Sequence, residues 1–219
     1  MTQAIKDKLR GQAIAIDGPA ASGKSTLAKG LAEHYGLVMV NSGEMYRAVT
    51  WLAIQKNLDL SDEEALLKIV DELNYTVEGY TSAIEYQGQQ LTTELRLAQV
   101  NAGVSQVAAL PELRAKLVEI QRNYLNKQGV QAVVMEGRDI GSVVFPDTPY
   151  KFYLKATQEV RQSRRADQGE VDVIAKRDAA DSARKASPLV IADGAQVVDV
   201  SNLSIEAVRH QVIELIESV

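Results

Sequence analysis

No cysteine occurs in the 219 residues, which excludes disulfides and thiolate metal sites. That absence fits a reducing compartment. No apolar run approaches the roughly 18 residues that a membrane span needs. The opening stretch, MTQAIKDKLRG, has no apolar segment of the kind a secretory signal carries. The expectation is a cytoplasmic protein with no membrane partner. Basic residues are outnumbered, 24 Lys and Arg against 29 Asp and Glu, for a net charge of −5. Bulk charge therefore does not favour nucleic acid, although a local basic stripe can still hold a small anion. There is no internal repeat, low-complexity tract or clear inter-domain linker. What is present is ordinary globular composition, 46% hydrophobic and 24% charged. A chain of this length accommodates one large domain, with one or two small inserts and a substantial core.

Apolar runs at 13–17 (AIAID), 37–40 (LVMV), 132–136 (AVVME), 150–154 (YKFYL) and 195–201 (AQVVDVS) read as strands. Helical periodicity lies between them. From Lys24, Leu27, Leu31 and Tyr35 share a face, and Gly36 reads as the stop. Residues 43–57 read as a second helix. Ser61 reads as the N-cap of a third, with Glu64 completing a capping box. Residues 75–92 alternate and are broken by Gly79 and Gly88, which suggests a small hairpin or meander. Pro111 suits the start of a further helix. Strands alternating with helices indicate an α/β fold with a parallel sheet and crossover helices. The stretch near 60–100 reads as an insert.

Between the first strand and first long helix stands GPAASGKST. Gly18, Pro19, Ala20, Ala21, Ser22, Gly23, Lys24 and Ser25 match G-x-x-x-x-G-K-[ST], with Thr26 following. Such a loop wraps backbone N–H groups around nucleotide phosphates. Lys24 would contact the β- and γ-phosphates, Ser25 would ligate Mg²⁺, and the helix would aim its positive end at the same anion. Strand, loop and helix occur in the required order, so the loop is expected to bind ATP with Mg²⁺.

Other stretches carry cations beside small polar residues. In NSGEMYR (41–47), Ser42 and Gly43 give a tight helix entry, and Arg47 is either a solvated helix arginine or a ligand for an anion. In EGRD (136–139), Arg138 and Asp139 form either a surface ion pair or a site at a strand's carboxyl end. Arg177, Asp181 and Arg184 fall at i, i+4 and i+7. That stripe is either a salt-bridge ladder or two guanidiniums for phosphate beside a carboxylate for ribose. Arg161 and Arg165 form another i, i+4 pair before a polar loop. Several arginines on one chain with a phosphate loop suit phosphoryl transfer to a second anion.

The blocks IAIDGPAASGKSTLAKGLA, NSGEMYRA, VNAGVSQVAALPELR, VVMEGRDIGSVVFPD and RDAADSARKASPL together resemble those of bacterial cytidylate (CMP/dCMP) kinases, in order and over nearly the whole chain. The phosphate loop alone is widespread, whereas GRDIGSVVFPD and RDxxDSxRxxxPL are far more specific. The resemblance implies a P-loop NTPase three-layer fold with a parallel central sheet, a small β-containing NMP-binding insert and a short lid. On that reading the core spans about 10–60 and 110–219, the insert about 61–109 and the lid about 166–175. It further implies that Ser105, Arg114 and Asp139 read cytosine, and that Arg47, Arg138 and Arg184 hold the acceptor phosphate. Arg177 and Asp181 would lie near the ribose, and Arg161 and Arg165 over the ATP. The implied activity is ATP-dependent phosphorylation of CMP and dCMP by a monomer. A P-loop kinase for another small acceptor, or a nucleotide-binding switch without turnover, is the alternative. Asn41 and Glu136 stand where the family usually has Asp, and the lid is shorter than in most members.

Overall fold

In the computed structural model, which describes residues 3–167, 179, 184 and 187–219, AIAID forms the buried strand β1 (Ala13–Asp17). Its side chains alternate between two cores: Ala13 and Ala15 face one, Ile14 and Ile16 the other. A strand buried on both faces needs helices above and below it, and that requirement sets the layers. On one face lie α1 (Gln3–Leu9), α2 (Lys24–Tyr35) and α8 (Ile205–Ser218), through Leu9, Leu27, Leu31, Tyr35, Val208 and Val212. On the other lie α3 (Ser42–Gln55), α4 (Glu63–Val70), α5 (Ala98–Val107) and α6 (Pro111–Asn123), through Leu52, Leu66, Val104 and Leu117. Helix α7 (Gln158–Asp167) follows strand β7 (Lys151–Lys155).

The sheet order is β3-β4-β2-β6-β1-β7-β8. Its strands are β2 (Val38–Asn41), β3 (Leu73–Glu78), β4 (Thr81–Tyr86), β6 (Val133–Gly137), β7 (Lys151–Lys155) and β8 (Gln196–Asp199) around β1. β1 pairs in parallel with β6 (Asp17↔Gly137) and β7, and β6 in parallel with β2 (Asn41↔Glu136). The expected hairpin forms as antiparallel β3 and β4, with the short β5 (Gln89–Gln90) beside β4. It does not stand apart: β4 joins the edge of β2 through Met39↔Thr81. The carboxyl ends of β1, β2 and β6 thus meet along one rim, where open α/β sheets bind ligands.

Helix limits follow local chemistry. Gly36 ends α2 in a left-handed conformation (φ 66), as its position predicts. The capping box at Ser61 does not form. Asp59 Oδ1 accepts from both the Ser61 amide (2.8 Å) and its hydroxyl (2.7 Å), an Asx-type turn that occupies the expected cap. Asp62 caps α4 instead, accepting from Ala65 N at 3.0 Å, and Glu64 pairs with Lys68.

Leu117 is fully buried in the core between α6 and the sheet. Leu117→Ala is expected to cost about 2–5 kcal/mol of unfolding free energy, read by urea denaturation. A loss under about 1 kcal/mol would mean that this core closes over the cavity.

Candidate active site

The phosphate loop runs from the end of β1 into α2 and is shaped by two residues in the left-handed region, Ala21 (φ 58) and Gly23 (φ 92). Gly23 is the N-cap of α2 and makes no side-chain cap, so the first amides of the helix face the loop's hollow. Gly18 (φ 150) passes so close to β7 that a Cβ there would lie 2.5 Å from the Leu154 carbonyl oxygen. Lys24, buried at the base, donates to the Pro19 carbonyl (2.7 Å). It is therefore held curled over its own loop. Ser25 donates to a carboxylate oxygen of Glu136 at the end of β6.

The cleft above this loop is lined by residues 21–26, by Leu154, Val200, Leu203, Ile205 and Val208, and by Arg164. Arg164 donates to the Ser22 carbonyl (3.4 Å) and the Val200 carbonyl (2.9 Å). Arg161 donates to the Ala20 carbonyl at 3.2 Å. The family resemblance placed Arg161 and Arg165 over the ATP. Arg164, at i+3 from Arg161 and not singled out in the sequence, lines this cleft. The side chain of Arg165 lies outside the described residues.

A second cleft adjoins the first along the strand ends. Its lining includes Ser42, Arg47, Ser105, Arg114, Glu136, Arg138, Asp139 and Arg184. Two of the three ambiguities in the sequence lose their surface reading here. Arg47 is 7% exposed, and donates to the Leu95 carbonyl (2.8 Å) and to Asn101 Oδ1 (2.6 Å), so it is no solvated helix arginine. Asp139 and Arg114 are each buried and joined at 2.5 Å, so Arg138-Asp139 is not a surface ion pair. Arg114 also donates to the Ala108 carbonyl (2.8 Å), and its guanidinium lies 5.1 Å from the centre of the Tyr46 ring. Burial holds the Tyr46 hydroxyl at about 12, so it stays protonated beside the arginine. Ser42 donates to the Glu136 carbonyl (2.8 Å), fixing the entry of α3 against β6. Glu44 bridges Arg96 (2.5 Å), and its carboxyl is raised, chiefly by burial and against the pull of Arg96.

Glu136 lines the second cleft and accepts from Ser25, which lines the first, so the two clefts meet at this bond. The Ser25 hydroxyl and the Glu136 carboxylate are hard oxygen ligands side by side, a donor set that suits Mg²⁺ completed by nucleotide phosphates and water. The sequence marked Glu136 only as a departure from the family pattern, and only Ser25 was expected at the metal. Among the described residues, no group of three or more His, Cys, Asp or Glu forms a metal cage. Asp17 was not singled out by the sequence at all. It is buried, and its carboxylate accepts from the Ile140 and Gly141 amides just beyond Asp139. Arg177 and Asp181 lie outside the described residues. Among those described, no helix is long and apolar enough to cross a membrane.

A family model described as cytidylate kinase matches residues 14–218. A curated cytidylate kinase from Clostridium botulinum is 39% identical over 215 residues, spanning 93% of this chain and 97% of that protein. One from Clostridium tetani is 40% identical over 216 residues, spanning 94% of this chain and 93% of that protein. Among solved structures, an uncharacterized protein from Eubacterium ventriosum superposes with a TM-score of 0.53. It covers 94% of this chain and 99% of its own at 13% identity, a likeness of fold alone.

Proposed function

Because the chain belongs to the cytidylate kinase family and is an ATP-dependent kinase for CMP and dCMP, we propose how its two clefts divide that reaction. ATP lies over residues 18–26, with its base toward Arg164, Leu203 and Ile205. CMP or dCMP lies in the second cleft. Cytosine meets Ser105, Arg114 and Asp139, and the acceptor phosphate faces Arg47, Arg138 and Arg184. The observation that carries this reading is the buried Arg114–Asp139 pair. A charged pair fixed in a cleft wall presents both a donor and an acceptor edge, as a base with mixed hydrogen-bonding groups requires.

An oxygen of the acceptor phosphate is already a nucleophile, so the chain need supply no general base. That oxygen bonds to the γ-phosphorus as the bond from the γ-phosphorus to the β-bridging oxygen breaks, giving CDP and ADP. The protein contributes alignment and charge neutralisation by Lys24, Arg138 and Arg184. Lys24 exchanges the Pro19 carbonyl for phosphate oxygens when ATP arrives. Arg177 and Asp181 are assigned to the ribose on family resemblance alone. A single chain carries both clefts, so a monomer suffices.

Mg²⁺ bound by Ser25 and Glu136 would neutralise charge on the ATP phosphates. Glu136→Gln is expected to raise the Mg²⁺ concentration at half-maximal rate by about tenfold or more. An unchanged Mg²⁺ titration would remove Glu136 from the metal site.

ADP release followed by a coupled assay, with and without CMP, tests the function as a whole. Release should depend on CMP or dCMP and stay near background with AMP or UMP. Release that is independent of any monophosphate would instead indicate a nucleotide hydrolase or switch.

A further inference from the structure

Asp17 ends β1, one residue before the phosphate loop, and is 4% exposed. Its two carboxylate oxygens are used separately. Oδ1 accepts from the Ile140 amide at 2.9 Å, and Oδ2 from the Gly141 amide at 2.7 Å. These amides open a short π-helical turn, Ile140–Val144, whose preceding residue is Asp139. The first amides of any helical turn lack partners within it, and a carboxylate is the strongest acceptor a side chain can offer them. Asp139 in turn holds Arg114. A continuous chain of contacts therefore runs from the root of the donor loop to the base-reading pair.

We propose that Asp17 is a positioning residue for acceptor recognition: by clamping the Ile140 and Gly141 amides it sets the height of Asp139, and hence of Arg114, relative to the phosphate loop. The proposal rests on the assignment of Arg114 and Asp139 to the cytosine. No catalytic contact is assigned to Asp17. Its electrostatics agree with such a role. Its pKa is raised to about 6, chiefly by burial with a smaller push from Asp139, against the pull of the two amides and of Lys24. A carboxylate kept in so unfavourable a place is retained for the bonds it makes. The packing around the turn is equally tight, since a Cβ on Gly137 would lie 2.7 Å from Ile140 Cδ1 and 2.5 Å from Ser42 Oγ. The turn has little room to settle elsewhere once the clamp is loosened.

The test uses the full chain and Asp17→Asn, which keeps one acceptor oxygen and turns an NH₂ toward the other amide. The KM for CMP should rise about tenfold or more, while the KM for ATP moves less than about threefold. The preference for CMP over UMP should narrow. A residue that only supports the fold would lower Tm and active fraction and leave both KM values and that preference unchanged, and this result overturns the proposal. Arg114→Ala is run in parallel. If it also spares the KM for CMP, the base-site assignment has failed. If it raises that KM and Asp17→Asn does not, only the positioning role has failed. Should Asp17→Asn not fold, amide hydrogen exchange on the wild-type protein decides. CMP should slow exchange at Ile140 and Gly141 by tenfold or more, and unchanged rates at both overturn the proposal.

Discussion

Lys24→Ala is expected to lower kcat by about 10²–10³-fold or more while leaving the folded protein intact, the magnitude seen when one preorganised donor to developing charge is removed. The lysine sits at the base of the loop with its ammonium on the Pro19 carbonyl, where it can swing to the phosphates without rearranging the fold. Its removal takes away a cation that follows charge as it moves from the γ-phosphoryl group to the ADP leaving group. The alanine leaves a backbone carbonyl beside an open cleft, where water can replace the ammonium, so Tm should move by only a few degrees. Single-turnover kinetics with ATP and CMP, together with a thermal melt, check both halves. Normal turnover by a folded variant would remove the loop from the reaction.

Arg114→Ala is expected to raise the KM for CMP by roughly 10–100-fold and that for ATP far less, corresponding to about 1–3 kcal/mol for polar groups left unpaired in a buried site. The arginine makes three contacts at once: Asp139, the Ala108 carbonyl and the face of Tyr46. Its loss leaves Asp139 as a buried carboxylate without its cation, so a fall in stability accompanies the kinetic effect. Steady-state kinetics with each substrate varied in turn separate the two. Equal changes in both KM values would make Arg114 a structural residue.

Local pattern alone singled out the phosphate loop. Gly18, Gly23, Lys24 and Ser25 lie within one turn of chain, and the fold needs them there for reasons of local geometry, so spacing was enough. The helix from Lys24 and its stop at Gly36 were legible for the same reason. The rest of the site depended on pairs that no periodicity can reveal. Asp17 and Ile140 are 123 residues apart, Ser25 and Glu136 are 111 apart, and Arg47 meets Asn101 across 54. From the residues alone, Arg47 and Asp139 stayed ambiguous between surface and site. Their burial removes the surface reading, and burial is a property of the packed chain. One miss was local: the Ser61 cap was lost to a neighbouring Asp59 turn that competes for the same hydroxyl. Arg164, which lines the donor cleft, was not singled out, although it stands at i+3 from Arg161, a spacing that helix geometry allows as readily as i+4. Arg177 and Asp181 rest on family resemblance alone.

The most direct test is a crystal structure of the protein with CMP and a non-hydrolysable ATP analogue. Cytosine should lie within hydrogen-bond distance of Arg114, Asp139 and Ser105, with the acceptor phosphate on Arg47, Arg138 and Arg184 and facing the γ-phosphate held by Lys24. A pyrimidine bound elsewhere, or an acceptor phosphate turned away from the phosphate loop, would contradict the assignment of the two clefts.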